Sequence, residues 1–465
     1  MTARTLVLFN RDLRVADHPA LHAAARAAEG GGVVVPLFVL CPRMLARAGP
    51  NRRAYLRAAL LDLDASLQAR GTRLWAAVGE PAAEAGRIAA AMQANAIHVS
   101  ADYSALARRR EDALGDCAQR FGARFEAFPG VAAVAPGAVR PTGAGAFQVF
   151  TPYLNRWLAE PLRQPLPSPR QIPGPDALPA LTLTEAFQLA GLDGAGASPG
   201  IPAGGETAAR VRMSAWLRRG VNDYEVLRDV LPRDATSRLS ADLHFGCISP
   251  AQLRWGARDR AAASAWVRQL CWRDFYLQAL AAFPALPRQP FQPRARAADV
   301  ESRWLAQRED AGYLAWCEGR TGLPVVDAAM HQLRAEGFIH NRARMLVASY
   351  LTRRLGVDWR LGLAHFDHWL VDGDLAVNAG NWQWAAGTGH DRRPNRTFNF
   401  QRQALRFDPD GDYVRRYLPA LRAVAGAAVH QVSTLTGEAG AANAAGPTVQ
   451  SDASGNTWQS ALDLD

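Results

Sequence analysis

The chain contains no lysine, and all 53 of its fixed positive charges are arginines. The absence of lysine excludes a Walker A phosphate loop, a lysine Schiff base and a lysine general base. A GC-rich genome is the ordinary source of such a bias. Arginine nevertheless favours phosphate recognition, because its planar guanidinium group can bind two oxygens at once. With a formal net charge of +10 at pH 7, nucleic acid is a candidate partner for the chain.

Cysteine is also scarce, with five residues scattered along 465 positions. Their number is odd and their spacing includes no CxxC pair, so the sequence predicts no disulfide framework. No apolar run approaches the length of about 20 residues that a helix needs to span a bilayer, and the N-terminus lacks the pattern of a signal peptide. We therefore expect a cytoplasmic protein with no membrane partner. We also expect a monomer.

Strand-like and helix-like segments alternate in the first part of the chain. The apolar runs TLVLFNRDLR, VVVPLFVLCP, TRLWAAVG and AIHVS are typical of buried strands, and DHPALHAAARAAEG and PAAEAGRIAAAMQA are typical of helices. This alternation predicts a parallel sheet covered by helices. We assign residues 1–130 to this Rossmann-like α/β domain.

The composition then changes twice. Residues 131–206 are the predicted inter-domain linker. From residue 159 this linker is rich in Pro, Gly and Ala, and we expect one short helix in that part. Residues 207–424 show helical periodicity, as in AAASAWVRQLCWRDFYLQAL, and few strand-like runs, which predicts an all-helical domain. Residues 425–465 are small, polar and without periodicity, and we expect them to be disordered. The predicted fold class is α/β plus all-α.

The segment DGDLAVNAGNWQWAAGTG, residues 372–389, places two tryptophans two positions apart. On a helix Trp382 and Trp384 point to different sides, whereas Asp374, Asn378 and Trp382 lie four apart along one stripe. Gly373 and Gly380 lower helix propensity, so a broken helix is an alternative. For either tryptophan taken alone, a place in the core is the simpler explanation.

Other segments combine polar and aromatic residues in patterns that suggest ligand binding. ATSRLS, residues 235–240, has three hydroxyls before a helix, which suits a phosphate, although such a cluster is more often a helix cap. HNRARM places Asn341, Arg342 and Arg344 beside an apolar run, and CWRDFY gathers aromatics. For HNRARM the simpler explanation is a solvated helix face, and for CWRDFY it is an amphipathic core helix. HFDH, residues 365–368, has metal-like histidine spacing but no third ligand, and we expect no metal.

Taken together, these segments resemble the photolyase/cryptochrome flavoprotein family, and most closely its bacterial photolyases for cyclobutane pyrimidine dimers. The resemblance runs from residue 4 to about residue 424 and is most specific in TSRLS, CWRDFY, TGLPVVDAAMHQL, HNRARM and DGDLAVNAGNWQWAAGTGHD. The five motifs occur in the order that the family shows. The resemblance implies an α/β antenna domain followed by a helical domain that binds FAD.

The resemblance also implies which residues hold FAD. The positions that match the phosphate side are Tyr224, Thr236, Ser237, Arg238, Leu239 and Ser240. Those that match the surroundings of the flavin, the ribityl chain and the adenine are Asn341, Arg344, Asp372, Gly373 and Asp374. Asn378 matches the residue beside flavin N5, where a neutral amide can hydrogen-bond the reduced flavin without repelling its charge.

An electron relay and a substrate cavity follow from the same resemblance. Trp382 would be the relay member next to the flavin, followed by Trp359 and then by Trp304 near the surface. Trp384 would face the other way and line the substrate cavity together with Trp272. Indole suits both tasks because it is flat, polarizable and oxidisable.

The implied reaction is light-driven repair of DNA that contains cyclobutane pyrimidine dimers. Reduced FAD, excited by near-UV or blue light, passes an electron to the dimer, the cyclobutane ring splits, and the electron returns to the flavin. The dimer must be flipped out of the duplex, and its poor stacking lowers the cost of doing so. The implied substrate-binding residues are Trp272, Trp384, Gln269, Met345 and Gln403, with Arg228 and Arg342 meeting phosphates.

One substrate-facing position departs from the family. Gln269 stands where many members have a glutamate that hydrogen-bonds the dimer and stabilises its radical anion. A glutamine amide can still donate a hydrogen bond but offers no proton. The glutamine is compatible with two alternatives. Either repair is less efficient, or the lineage to which the chain belongs tolerates the change. The change also keeps open an alternative function, a cryptochrome-type blue-light receptor that uses the same flavin without repair.

A second, light-harvesting chromophore is expected as well. In the family it sits in the cleft between the α/β and helical domains, and it is either methenyltetrahydrofolate or 8-hydroxy-5-deazaflavin. RDLR, residues 11–14, and DYSALARRRED, residues 102–112, lie in the corresponding domain of this chain. These segments do not decide between the two chromophores.

Overall fold

The computed structural model of the protein describes residues 2–143, 145–292, 307–390 and 398–434. The chain forms two compact units. The first consists of Met1–Ala197, Pro202–Asn222 and Ser237–Pro284, and the second of Ser198–Ile201, Asp223–Thr236 and Ala285–Asp465. The domain limits drawn from the sequence at residues 130, 206 and 424 stay a prediction.

The first unit contains a five-stranded parallel sheet, as the alternating apolar runs predict. Its strands are β1 (Arg4–Phe9), β2 (Val33–Leu40), β3 (Trp75–Val78), β4 (Ala96–Ser100) and β5 (Arg124–Phe128), in the order β3-β2-β1-β4-β5. In the central strand, Leu6 pairs with Val35 on one side and Ile97 on the other, and all three side chains are fully buried. Parallel strands are covered on both faces, which is why they appear in the sequence as continuous apolar runs.

The strand order creates a crevice at the carboxyl edge of the sheet. The chain winds from β1 to β2 and β3 on one side, and continues with β4 and β5 on the other. The loops that follow β1 and β4 begin at residues 10 and 101, and they therefore lie at the point where the winding reverses. Open α/β sheets bind ligands at such a reversal, so the polar residues of these two loops are candidates for ligand binding.

The α-helices up to residue 282 are α1 (Pro19–Ala27), α2 (Pro42–Arg47), α3 (Pro50–Gln68), α4 (Pro81–Ala91), α5 (Ala105–Arg120), α6 (Phe150–Ala159), α7 (Leu183–Ala190), α8 (Glu206–Ala215), α9 (Val221–Leu227), α10 (Ser240–Phe245), α11 (Pro250–Gly256) and α12 (Ser264–Ala282). Each of the first four helices begins with a proline. Proline suits this position because its fixed φ is helical and the N–H that it lacks would have no intrahelical partner.

The predicted linker runs along the sheet of the first unit. Two backbone hydrogen bonds, of 2.9 and 2.8 Å, join Ala76 of β3 to Leu181, and the N–H of Val34 donates to the carbonyl of Pro173 at 2.8 Å. The linker contains α6 and, in its proline-rich part, α7, which begins with a capping box between Thr182 and Glu185. A proline-rich segment cannot form a long ladder, because proline has no N–H to donate.

The second unit is helical, as the periodicity predicts. Its further α-helices are α13 (Ala311–Glu318), α14 (Pro324–Glu336), α15 (Asn341–Ser349), α16 (Trp359–Trp369), α17 (Leu375–Ala386), α18 (Phe400–Phe407) and α19 (Asp412–Tyr417). A π-helical turn, Tyr350–Arg354, follows α15 directly. Within the described ranges, none of the helices has both the length and the apolar character required to cross a membrane.

The structure of residues 426–434 differs from the disorder predicted for the tail from residue 425. Gly426–Thr434 forms a 3-10 helix, although it lies in the stretch assigned to disorder from composition. Val429 is fully buried, and Nε2 of His430 lies 2.6 Å from the carbonyl oxygen of Asp408. Burial against the helical unit stabilises these residues, and composition cannot reveal such contacts. The rest of the predicted tail, residues 435–465, lies outside the described residues.

Candidate active site

The helix α17 carries most of the distinctive motif and begins at an aspartate. Asp374 is its N-cap, and its Oδ1 accepts hydrogen bonds from two backbone N–H groups of the first turn, at 3.1 and 3.2 Å. The helix continues unbroken through Gly380, so the alternative of a broken helix is wrong. Asp374, Asn378 and Trp382 therefore follow one another along one face, and all three are buried.

Asn378 has an amide that its surroundings do not satisfy. The side chain is 7% exposed, and its Nδ2 atom has no hydrogen-bond partner among the described residues. A buried donor left unpaired costs about 1–3 kcal/mol, so a native site with such a donor calls for an acceptor from a ligand. The orphaned amide suits a ring nitrogen or carbonyl oxygen of a flavin.

An ion pair fixes the loop that leads into α17. Nη2 of Arg344 lies 2.8 and 3.1 Å from the two carboxylate oxygens of Asp372, and its Nε donates to the carbonyl of Ile339 at 2.9 Å. Asp372 and the adjacent Gly373 are buried, whereas Asn341, at the start of α15, is exposed. Because the buried carboxylate is paired, the loop holds its charge without a large desolvation penalty.

Trp382 lies in an aromatic cluster of the second unit. The residue is 2% exposed, and its ring meets Phe366 edge to face at a centroid distance of 5.0 Å and Trp316 at 6.0 Å. Gly362 of α16 faces the indole so closely that a Cβ atom there would lie 2.1 Å from it. Trp359 is one turn before this glycine on α16 and is also buried. Two members of the predicted relay thus lie on helices that pack against each other.

Sequence reasoning did not single out Trp316 or Gly362. Trp316 is fully buried, and its Nε1 donates to the carbonyl of Val347 at 3.0 Å. The only signal in the sequence is the spacing of Trp359, Gly362 and Phe366, which places all three on one helix face. Spacing does not say which residue of another helix this face meets.

The two tryptophans predicted to hold the substrate are both half-buried. Trp384 points to a different side of α17 from Trp382, as helical spacing predicts. In the first unit, the ring of Trp272 stacks on Phe150 with a centroid distance of 3.6 Å and an angle of 3° between the planes. Gln269 lies almost one turn earlier on α12 and is exposed. Aromatic side chains with such partial exposure retain apolar surface on which a base can stack.

Arg342, a predicted phosphate contact, has close partners in the second unit. Its Nη2 and Nε lie 2.8 and 3.3 Å from Oδ1 of Asp229, and its Nη1 lies 3.6 Å from the sulfur of Met345. The guanidinium carbon is 4.3 Å from the ring centroid of Phe407. Gln403 lies one turn before Phe407 on α18 and is half-buried. The guanidinium group is therefore oriented by a carboxylate and a ring.

Two hydroxyl groups predicted to face the cofactor phosphates also belong to the second unit. Burial raises the pKa of Tyr224 to about 12, with the nearby charge of Arg228 opposing the shift. The phenol therefore keeps its proton at neutral pH and can donate a hydrogen bond. Oγ1 of Thr236 is buried and has no partner within the described residues. Both groups suit a phosphate, which offers only acceptors at this pH.

The run from Ser237 to Ser240 lies in the first unit and contains a strained residue. Arg238 has a φ of +52°, in the left-handed region that costs a non-glycine residue about 1–3 kcal/mol. The N–H of Leu239 donates to Oγ of Ser237 at 3.5 Å, and Ser240 begins α10. Strain of this kind persists where function requires it, which supports a binding role for the run.

The predicted site residues are divided between the two units. Within the second unit, the structure places Asn378 and Trp382 on one helix face and joins Arg344 to Asp372. Trp304, the predicted outer member of the relay, lies outside the described residues. The residues that belong to the first unit are Ser237, Arg238, Leu239, Ser240, Gln269 and Trp272.

Two family profiles match the chain. The profile described as DNA photolyase covers residues 5–170, and the one described as FAD binding domain of DNA photolyase covers residues 266–452. A curated relative, the deoxyribodipyrimidine photo-lyase of Streptomyces griseus, is 45% identical over 440 residues, which are 93% of each chain. The chain belongs to the DNA photolyase family. As a member of the photolyase family, it carries an FAD-binding domain, and that domain includes the predicted residues from Asn341 to Asn378.

Solved photolyase structures share the fold. A bacterial class III photolyase from Agrobacterium tumefaciens matches with a TM-score of 0.84 and 29% identity, over 98% of this chain and 94% of that one. An archaeal photolyase from Sulfolobus tokodaii, solved with two FAD molecules, matches with a TM-score of 0.81 and 28% identity, over 92% and 93%. The predicted photolyase architecture of an α/β sheet followed by a helical region is confirmed.

Proposed function

We propose that this chain is a deoxyribodipyrimidine photo-lyase, which uses FAD and light to split cyclobutane pyrimidine dimers in DNA. The observation that carries the proposal lies on α17, where the buried and unpaired amide of Asn378 is one turn from the buried indole of Trp382. The amide calls for an acceptor, and the indole beside it is an oxidisable ring. A flavin is a ligand that uses both.

The residues around α17 fit FAD. When bound, FAD supplies light absorption and single-electron chemistry. Asn378 offers its Nδ2 as a donor and, being neutral, does not oppose a negative charge on the ring. The pair of Arg344 and Asp372 fixes the loop before the helix, so that the donor stays in place. The hydroxyls of Tyr224 and Thr236 donate to phosphate oxygens.

The aromatic cluster would relay electrons toward a flavin held at this site. Trp382 is excluded from water by Phe366 and Trp316, which keeps a charge on its indole from being trapped by solvent. Trp359 lies on the helix that packs against this ring and is the next donor. Trp304 is proposed as the outer member that meets solvent.

The half-buried aromatics and the arginines bind damaged DNA. Trp272 and Trp384 each offer an indole face on which a pyrimidine that has left the duplex can stack. Arg228 and Arg342 meet the flanking phosphates, which fixes the register of the strand but reads no sequence. Gln269 donates a hydrogen bond from its amide to the dimer and leaves proton transfer to other groups.

A second chromophore is proposed at the reversal point of the sheet. In the first unit, Nε and Nη2 of Arg110 are buried without a partner among the described residues, and Nη1 of Arg11 is 3.5 Å from Asp102. Burial lowers the pKa of Arg110, opposed by Asp102 and Glu111. The unpaired donors call for a ligand rich in acceptors. Methenyltetrahydrofolate and 8-hydroxy-5-deazaflavin both meet this condition, and the near-UV and visible spectrum of the purified protein distinguishes them.

The alternative of a cryptochrome-type receptor rests on the exposed amide of Gln269 alone, and the photo-lyase relatives of the chain do not favour it. Both functions use the same flavin and relay, so the substrate decides between them. The cytoplasmic location, the monomeric state and the domain limits expected from the sequence remain parts of the proposal.

The deciding experiment follows the substrate rather than the flavin. Purified, photoreduced protein is mixed with an oligonucleotide that contains one thymine dimer, and the recovery of thymine absorbance is recorded under blue light. Recovery in the light and none in the dark supports the photo-lyase. A protein that keeps its flavin, photoreduces normally and restores no absorbance is not a photo-lyase, and the proposal is then wrong.

A further inference from the structure

The predicted DNA-binding surface of the second unit contains a carboxylate in contact with one of its arginines. We propose that Asp229 is a specificity-determining residue, which neutralises Arg342 until a phosphate of lesion-bearing DNA replaces the carboxylate. The inference rests on the proposed function, because it takes Arg342 to bind a backbone phosphate. It adds that Asp229 lowers the affinity for undamaged DNA.

The geometry shows that the carboxylate occupies the edge of the guanidinium group that a phosphate would use. Nε and Nη2 form one edge of Arg342, and both lie within 3.3 Å of a single oxygen of Asp229. Two parallel donors on one edge are the arrangement with which arginine binds a phosphate bidentately. The remaining nitrogen, Nη1, faces the sulfur of Met345 at 3.6 Å. A phosphate therefore competes with Asp229 for the same donors.

The arrangement around this pair is fixed by the fold. The guanidinium carbons of Arg342 and Arg406 lie 4.3 and 5.2 Å from the ring centroid of Phe407. The N–H of Leu231, two residues after Asp229, donates to the carbonyl of Phe407 at 2.9 Å. The segment that carries the carboxylate is thus tied to the helix that carries the ring, and Asp229 is not a randomly placed surface charge.

The exposure of the pair argues against a role in folding. The side chain of Arg342 is 19% exposed and that of Asp229 is 37% exposed. Pairs this accessible to water contribute little to stability, and their partners exchange readily. A carboxylate that adds little to stability but cancels a phosphate-binding cation changes mainly the affinity for nucleic acid.

Asp229 affects the affinity for undamaged DNA and the affinity for dimer-containing DNA to different extents. Undamaged DNA binds through diffuse attraction to phosphates, so each cancelled cation removes a part of the whole affinity. A dimer adds stacking and hydrogen bonds that undamaged DNA lacks, and these interactions offset the displacement of the carboxylate. Asp229 therefore widens the ratio between specific and non-specific binding, which is the quantity that matters among many competing sites.

The test compares Asp229→Asn with Asp223→Asn, which removes the same charge from an exposed position six residues earlier on α9. Affinities are measured by fluorescence anisotropy for one duplex with and without a thymine dimer, at about 0.05–0.2 M salt. For Asp229→Asn we expect about three- to tenfold tighter binding of undamaged DNA, and a salt slope steeper by about 0.9, the value of one more phosphate contact. For the duplex that contains a thymine dimer, we expect the affinity to rise by a smaller factor.

The result that overturns the inference is equal tightening on both duplexes, the same effect from Asp223→Asn, or weaker binding by Asp229→Asn. In an Arg342→Gln background, Asp229→Asn must lose its effect on undamaged DNA, since the carboxylate acts through that arginine. Flavin content and thermal unfolding show that each variant is folded. If the unaltered protein repairs dimers and Asp229→Asn leaves the specificity ratio unchanged, this inference alone fails. If the unaltered protein repairs nothing, the proposed function fails as well.

Discussion

The backbone of Gly362 lies directly against the indole of Trp382. A Cβ atom at position 362 would lie 2.1 Å from Cη2 and 2.3 Å from Cζ3 of that ring. These two residues therefore set how closely α16 approaches α17. Trp359 and Phe366 share the helix face of the glycine, so the same contact determines where Trp382 lies relative to both.

The first prediction is that Gly362→Ala displaces the indole of Trp382. Extra atoms in a packed core cost about 1–3 kcal/mol, and we expect a loss of that size in the free energy of unfolding, together with slower photoreduction of oxidised flavin. Chemical denaturation and flavin absorbance under illumination measure the two effects. Gly115→Ala is the control, because a Cβ atom there meets only a ring carbon at 3.8 Å. Normal photoreduction in Gly362→Ala would contradict the prediction.

The second prediction separates electron delivery from repair. Trp382→Phe removes the proposed proximal donor and keeps an aromatic ring in the cluster. We expect photoreduction of oxidised flavin to fall at least about tenfold, a change in barrier of about 1.4 kcal/mol, because phenylalanine is much harder to oxidise. Enzyme that is reduced chemically beforehand should still repair dimers at nearly the normal rate. Simultaneous loss of both activities would show that the indole has no separate relay role.

The third prediction concerns the partly exposed indole of the same helix. Trp384→Ala should weaken the binding of dimer-containing DNA by about 1–3 kcal/mol, the usual contribution of a base stacked on an aromatic ring. The affinity for undamaged duplex should change little, because phosphate contacts dominate it. Trp384→Phe retains a stacking surface and serves as the control. If Trp384→Ala binds the dimer as tightly as the unaltered protein, the residue is only part of the core.

The fourth prediction follows from the ion pair that precedes α17. Arg344→Gln leaves the carboxylate of Asp372, which is 4% exposed, without its cation. Removing the partner of a buried charge costs at most about 3–5 kcal/mol, and less here because the arginine is 24% exposed. We expect lower stability and a lower ratio of FAD to protein after purification, read from the visible spectrum. Arg320→Gln breaks an exposed pair with Glu318 and should change neither property.

The fifth prediction concerns the dependence of stability on pH. Burial lowers the pKa of His365 from 6.5 to about 3, and the charges of Arg334 and His368 act in the same direction. The folded protein therefore keeps this imidazole neutral while the unfolded chain takes up a proton below pH 6.5. The contribution of this group to the free energy of unfolding is therefore fully present above pH 6.5. It is lost as the pH falls toward about pH 3, by up to about 1.4 kcal/mol per pH unit.

Urea unfolding of the unaltered protein and of His365→Gln between pH 7.5 and pH 5 tests this sign. The variant should lose stability less steeply as the pH falls, whatever its absolute stability. Burial also lowers the pKa of His390 to about 4 and raises the pKa of Asp408. Both groups are present in the two proteins, so the difference in slope belongs to His365. Parallel curves would show that its burial has no such effect.

Much of the fold follows from local patterns. Continuous apolar runs predicted β1, β2, β3 and β4, because strands covered on both faces need apolar side chains throughout. The strand β5 was not singled out, since none of its residues is fully buried. The 3-10 helix at Gly426–Thr434 was missed because its stability comes from contacts with residues such as Gly411 rather than from its own composition.

The sequence by itself determined the α/β and helical regions, the family, and the residues of α17 that share one face, since all of these depend on spacing along the chain. Tertiary structure alone decided that Gly362 meets Trp382 and that Asp229 meets Arg342, which is 113 positions away in sequence. Such contacts depend on how whole helices pack. The energy of that packing is spread over many side chains, so no local pattern specifies which residues come to lie opposite one another.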